Sequence, residues 1–129
     1  MARTNTILVV DDEDALREVL SDELANQGFN IAQAADGEKA INVLKAQKFD
    51  LVLLDIKMPK VDGFEVLKYV KTNLPVIKVI MMTGFADLKS AIESKRLGAD
   101  DFVSKPYDLV DLFTTIERVL ASETAKASS

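Results

Sequence analysis

Two hydrophobic patterns alternate along this chain. Continuous apolar runs stand at Thr6–Val10, Leu51–Leu54 and Val76–Met82, with a weaker run at Phe29–Ala34 and a short one at Asp101–Ser104. Runs of this length bounded by breakers predict strands buried on both faces. Between them, apolar residues recur at helical spacing. The first set is Leu16, Val19, Leu20 and Leu24, the second Ala40, Ile41 and Leu44, and the third Phe64, Leu67 and Val70. A fourth helix, predicted from about Ala86 to Leu97 with Leu88, Ala91 and Ile92 inward, is the least apolar. The fifth has the clearest stripe: Leu109, Leu112, Phe113, Ile116, Val119 and Leu120.

The residues between these segments fit the same division. Asp12 to Asp14 suit the first turn of a helix, where acids favour the helix dipole. Asp36 can cap the second helix and Asp62-Gly63 opens the third, which Leu74-Pro75 breaks. Gly28 and Gly98 are plausible stops for the first and fourth, and the fifth starts near Asp108. Strands alternating with helices predict a parallel sheet covered on both faces through right-handed crossovers. The expected organisation is a single domain over residues 1–121, then a flexible tail or the start of a linker at 122–129, where the chain is small and polar.

Composition narrows the chemistry. The 129 residues, 48% hydrophobic and 29% charged, suit one soluble domain with a real core. There is no cysteine, so disulfides, thiol nucleophiles and thiolate metal sites are excluded. Histidine is absent too, which removes the commonest general base and transition-metal ligand. Any metal site must use oxygen, favouring magnesium, calcium or manganese. A net charge of −5 and a pI near 4.7 argue against direct nucleic-acid binding. No apolar run reaches membrane-span length and no signal-peptide pattern opens the chain, so membrane insertion is not expected and the expected compartment is the cytoplasm.

The predicted topology turns scattered residues into a constellation. In a parallel sheet every strand end that leads into a helix lies on one edge, where open α/β folds bind ligands. Asp11 and Asp12 follow the first strand, Asp55 the third, Thr83 the fourth and Lys105 the fifth. Three carboxylates brought together raise one another's pKa unless a cation compensates. A divalent cation, a mobile ammonium and a hydroxyl beside a carboxylate nucleophile make an outfit for phosphoryl transfer. Each residue alone has a plainer reading: helix acids for Asp11 and Asp12, a turn for Thr83-Gly84, a solvated lysine for Lys105. Only their joint placement outweighs those readings.

The same residues resemble a known family. Asp11-Asp12, Leu53-Leu54-Asp55-Ile56-Lys57-Met58-Pro59, Asp62-Gly63, Met82-Thr83-Gly84, Gly98-Ala99-Asp100-Asp101-Phe102 and Lys105-Pro106 follow one another as in response-regulator receiver domains of two-component signalling. The match covers about residues 5 to 121. It implies a flavodoxin-like (βα)5 fold with strand order 2-1-3-4-5. It implies that Asp55 is the phosphorylated residue and that Mg2+, with Mn2+ as an alternative, is bound by Asp12 directly, by Asp11 through water, by Asp55 and by the Lys57 backbone carbonyl. Thr83 and Lys105 would contact the phosphoryl group, Thr83 and Phe102 would form the switch, and Lys57 and Phe85 would tune dephosphorylation. The Lys105-Pro106 bond is expected to be cis. The donor would be a phosphohistidine on a sensor histidine kinase or phosphotransfer protein acting in trans, since this chain has no histidine. Such a domain catalyses its own phosphorylation and slow dephosphorylation but is primarily regulatory. It would report through the fourth helix, fifth strand and fifth helix to a downstream effector or a covalently linked output domain.

Three other functions compete. A flavin electron carrier of the same strand order needs a hydroxyl- and glycine-rich loop after the first strand, where this chain has Asp11-Asp12-Glu13-Asp14. An aspartate-nucleophile phosphatase typically carries Asp-x-Asp there, whereas Asp11 is followed two later by Glu13. A pseudo-receiver would lack part of the site, which here is complete.

Overall fold

The computed structural model describes residues 5–58, 60–84, 88–105 and 107–127. Five strands, β1 (Thr6–Val10), β2 (Asn30–Ala34), β3 (Leu51–Asp55), β4 (Lys78–Thr83) and β5 (Asp101–Ser104), alternate with five helices. The helices are α1 (Asp14–Asn26), α2 (Gly37–Ala46), α3 (Gly63–Asn73), α4 (Leu88–Arg96) and α5 (Leu109–Ala127). The strands form one parallel sheet of order β2-β1-β3-β4-β5, the flavodoxin-like arrangement. Among the described residues no helix is long and apolar enough to cross a membrane.

Strand alternation divides the core in two. Leu8, Val10, Val52, Leu54, Val79 and Met81 face α2 and α3. Ile7, Val9, Leu51, Leu53, Ile80 and Met82 face α1 and α5. The three central strands are therefore apolar at nearly every position, while the edge strands β2 and β5 are only partly buried. Each fully buried aliphatic side chain contributes about 1.5–3 kcal/mol, so β3 at the centre of the sheet is a stiff support for whatever its end carries.

Local signals act as the sequence suggests. Asp36 Oδ1 accepts from the Lys39 backbone N–H at 2.8 Å and Asp62 Oδ1 from that of Glu65 at 3.1 Å, capping α2 and α3. Gly28 and Gly98 follow α1 and α4 with φ of 99° and 100°.

Three expectations need correction. β4 begins at Lys78, not Val76, and Val76 is 74% exposed. The Ile77 N–H donates to the Leu74 carbonyl at 3.0 Å, so the chain turns at Pro75 before it extends. In α4, Ile92 points outward and Ser94 is fully buried. The inward line runs through Ala91 and Ser94, one step round the helix from Ile92, and the Ser94 hydroxyl is satisfied by donating to the Ser90 carbonyl at 2.8 Å. Val19 is exposed in α1, because Leu20 and Leu24 define its inward line with Ser21 beside them. The last helix, α5, runs to Ala127, and its Ala, Glu and Lys residues are good helix formers.

A buried charge cluster at the opposite edge of the sheet was not foreseen. Asp100 accepts from the Val79 N–H at 2.8 Å and Lys71 Nζ at 3.1 Å, and Lys78 Nζ lies 3.9 Å away. Lys71 also donates to the Ile77 carbonyl at 3.2 Å. Pairing of this kind is what lets charged groups remain inside.

Candidate functional site

The C-terminal edge of the sheet gathers the predicted residues. Hydrogen bonding continues one step past three strands and fixes the backbone that carries them. The Asp11 N–H donates to the Ala34 carbonyl at 3.2 Å, Ile56 N–H to the Met82 carbonyl at 2.9 Å and Lys105 N–H to the Thr83 carbonyl at 2.7 Å. Asp55 pairs in register with Met82, and Thr83 with Ser104. Asp11, Asp55 and Thr83 are buried, while Asp12 is exposed.

Carboxylate oxygens of Asp11, Asp12 and Asp55 lie within 4.8 Å of one another, close enough to hold one metal ion. The donor set fits a hard cation, since the three side chains offer only oxygen. Lys105 Nζ donates to Asp11 Oδ2 at 2.8 Å and stands 3.7 Å from Asp55 Oδ2. The ammonium thus sits nearer Asp11 than Asp55. The other Asp11 oxygen accepts from the Glu13 N–H at 2.9 Å, so both of its oxygens are engaged.

Charge is unbalanced here, with one ammonium among three carboxyls. Burial pushes the Asp55 carboxyl up from 3.8 to about 6, and Asp11 and Asp12 add to the rise. The Lys105 charge and a hydrogen bond from the Lys57 backbone N–H oppose it. Burial pulls the Lys105 ammonium down, but the Asp11 hydrogen bond and the charges of Asp55 and Asp11 outweigh it and leave the lysine above its ordinary value.

Gly63 explains how α3 seats against this edge. A Cβ there would lie 2.3 Å from the Asp55 carbonyl oxygen, and the Gly63 N–H donates to the Ile56 carbonyl at 2.9 Å. The helix start therefore rests directly on the exit of β3. Phe102 is half-buried against the α2–α3 side of the core. Lys57 is exposed, with its backbone N–H turned to Asp55. Phe85, Pro59 and Pro106 lie outside the described residues, and with them the shielding role of Phe85 and the cis Lys105-Pro106 bond.

Two residues of the site were missed. Tyr107 lines a cavity of about 400 Å³ with Glu13, Leu16, Gly84 and Lys105, next to the acidic pair. Burial raises its phenol above the ordinary value against the pull of Lys105. Arg17 reaches back from α1 to the Asp11 carbonyl at 2.8 Å. The only sequence signal for it was its i,i+3 spacing from Asp14, which it also pairs at 2.8 Å.

Known proteins are similar to this chain in sequence and fold. The family model for the response regulator receiver domain matches residues 7–117. Regulatory protein AtoC of Escherichia coli (strain K12) is 40% identical over 126 residues, which are 98% of this chain but 27% of that protein. Sporulation initiation phosphotransferase F of Bacillus subtilis (strain 168) is 38% identical over 114 residues, 88% of this chain and 92% of that protein. A CheY-like receiver domain protein from Methanospirillum hungatei JF-1 superposes with a TM-score of 0.91 at 31% identity, covering 96% of this chain and 99% of that one. The chain thus spans about a quarter of AtoC and nearly all of the phosphotransferase.

Proposed function

Because the chain belongs to the receiver domain family of two-component response regulators, we propose that it is a phospho-acceptor switch in which Asp55 takes a phosphoryl group from a phosphohistidine. The observation that carries this reading is the meeting of Asp55 with Asp11, Asp12 and Lys105 at one sheet edge. An Asp55 carboxylate oxygen attacks phosphorus, the phosphorus–nitrogen bond of the donor breaks, and the imidazole leaves with a proton from solvent. The product is an acyl phosphate on Asp55. Lys105 offers an ammonium to the phosphoryl oxygens and Thr83 a hydroxyl. The buried, hydrogen-bonded β3 holds the nucleophile still while this happens.

Asp12, Asp55 and the Lys57 carbonyl would hold Mg2+ or Mn2+ directly, and Asp11 through water. Engagement of both Asp11 oxygens, against the exposure of Asp12, supports that division. The metal, when bound, would neutralise the carboxylates and supply positive charge beside the transferred group.

Transfer would draw Thr83 toward the phosphoryl group and turn Phe102 inward, shifting a two-state equilibrium at α4, β5 and α5. Phe85 and Lys57 would set how fast water removes the phosphoryl group. The donor would be a histidine kinase or phosphotransfer protein of the cytoplasm, and the reader a separate effector or an attached output domain.

Incubation with acetyl phosphate and Mg2+, followed by intact mass, tests the chemistry. The wild type should gain one phosphoryl group and Asp55→Asn none. A wild type that gains nothing favours the pseudo-receiver reading instead.

A further inference from the structure

We propose that Arg17 is a positioning residue for the metal-binding loop, holding the Asp11–Asp12 peptide in the orientation that presents Asp12 to a divalent cation. The inference rests on the proposed function and adds to it a residue outside the acidic set. Arg17 is 11% exposed at its side chain, and its guanidinium serves three acceptors. Nη1 donates to the Asp11 carbonyl at 2.8 Å, Nε donates to Gln33 Oε1 at 3.0 Å, and Nη2 pairs with Asp14 Oδ1 at 2.8 Å. The fork thereby joins the end of β1, the neighbouring strand β2 and the first turn of α1.

The Asp11 contact matters most. Asp14 is 75% exposed at its side chain and Gln33 is exposed too, so those two bonds compete with water. The Asp11 residue is held on both sides. Its N–H donates to the Ala34 carbonyl at 3.2 Å and its carbonyl accepts from Arg17. Fixing that carbonyl fixes the plane of the peptide that leads into Asp12. The Asp11 side chain has its own anchors in Lys105 and the Glu13 N–H. Exposed Asp12 takes its place from the backbone. Three carboxylates whose oxygens lie within 4.8 Å repel one another, so an untethered loop would relax by swinging its exposed member away. The first turn of α1 does not supply the tether, because the Glu13 side chain makes no capping hydrogen bond. A lysine could not replace this fork, since one ammonium cannot reproduce the three separate nitrogens that reach Asp11, Gln33 and Asp14.

Mn2+ alone, titrated against the full chain and followed by the electron paramagnetic resonance of the free ion, reads the effect. Loss of groups that orient ligands typically weakens metal binding about 10–100-fold, and Arg17→Ala is expected near the lower end of that range. Arg17→Lys should also weaken binding several-fold, whereas Asp14→Asn should stay within about twofold because it removes only an exposed pair. Labelling of Arg17→Ala by acetyl phosphate should be slow at low Mg2+ and recover in excess Mg2+. A folded Arg17→Ala that binds Mn2+ within twofold of wild type overturns the proposal, as does a labelling deficit that excess Mg2+ leaves unchanged. Should Arg17→Ala fail to fold, wild-type affinity in Arg17→Lys overturns it equally. A wild type that binds no Mn2+ overturns the metal site as well, which separates the failure of this inference from that of the reading beneath it.

Discussion

Asp55 is ionised at neutral pH in a place that resists its charge. Burial, Asp11 and Asp12 raise its carboxyl from 3.8 to about 6, and Lys105 and the Lys57 N–H offset only part of the rise. In metal-free protein the folded state therefore binds this proton more tightly than the unfolded state does. The stability this group contributes is fully present below pH 3.8 and is lost as pH rises through about 6. A rise of this size corresponds to about 3 kcal/mol at 1.36 kcal/mol per unit, an upper bound for a site that can relax. Asp55→Asn cannot ionise and escapes the loss. In chelator at pH 8 it should be more stable than wild type by about 1–3 kcal/mol, and near pH 3.5 the two should converge. Urea denaturation at the two pH values checks this, and an Asn variant no more stable than wild type at pH 8 refutes it. Added Mg2+ should narrow the gap by stabilising the wild type more than the variant, which lacks one carboxylate ligand. A carboxylate destabilised in this way is one whose charge a bound cation would relieve.

Single side chains stand where they do because elements meet at fixed distances, and Gly63 is the tightest such meeting. Its missing Cβ would fall 2.3 Å from the Asp55 carbonyl oxygen and 2.7 Å from the Ile56 Cα, both backbone atoms that cannot rotate away. Gly63→Ala must push α3 off the end of β3, at a cost of about 2–3 kcal/mol, and displace Asp55 enough to slow phosphorylation. Gly84→Ala is the control, because nothing among the described residues lies within 4 Å of its added Cβ; its stability should stay within about 0.5 kcal/mol of wild type. Equal urea midpoints for the two variants would show that the close approach is not limiting. What was legible in the sequence follows the same division. β1 and β3 were plain because both faces of each strand are buried, and unbroken apolar runs admit few other readings. The ends of β1 and β3 were plain for the same reason, and with them the approach of Asp11 and Asp12 to Asp55. The start of β4 and the inward face of α4 were misread. Val76 is apolar yet sits in a turn, and Ser94 is polar yet buried, because local hydrogen bonds decided both. The Arg17 contact with the Asp11 carbonyl and the Lys71–Asp100–Lys78 cluster were scarcely legible. One acts on a backbone carbonyl and the other joins residues on separate elements, and the i,i+3 spacing of Arg17 from Asp14 was the one periodic trace.

Across the whole molecule the site and the face proposed to report its state meet at β5. Thr83 ends β4, pairs with Ser104 of β5, and accepts the Lys105 N–H at 2.7 Å. Any movement of Thr83 toward a phosphoryl group is thus passed to the last residues of β5 and to the lysine itself. Two of the elements on that side, β5 and α4, bury few side chains among the described residues. β5 is an edge strand of four partly buried or exposed residues, and in α4 Ser94 is the only fully buried side chain among those described. The opposite side is firmer, since α2 buries Ala40 and Leu44 and α3 buries Val66, Leu67 and Val70 against three interior strands. Segments with few buried contacts open at lower free energy, so a bias applied at the site should appear there first. Beryllofluoride with Mg2+, used in place of the acyl phosphate, should change amide hydrogen exchange across residues 88–105 and leave the α2 amides within error of the free protein. Wild-type exchange throughout 88–105 with the ligand bound would sink the switch. A change of equal size in α2 would mean that the whole fold tightens on ligand binding, with no signal directed to one face.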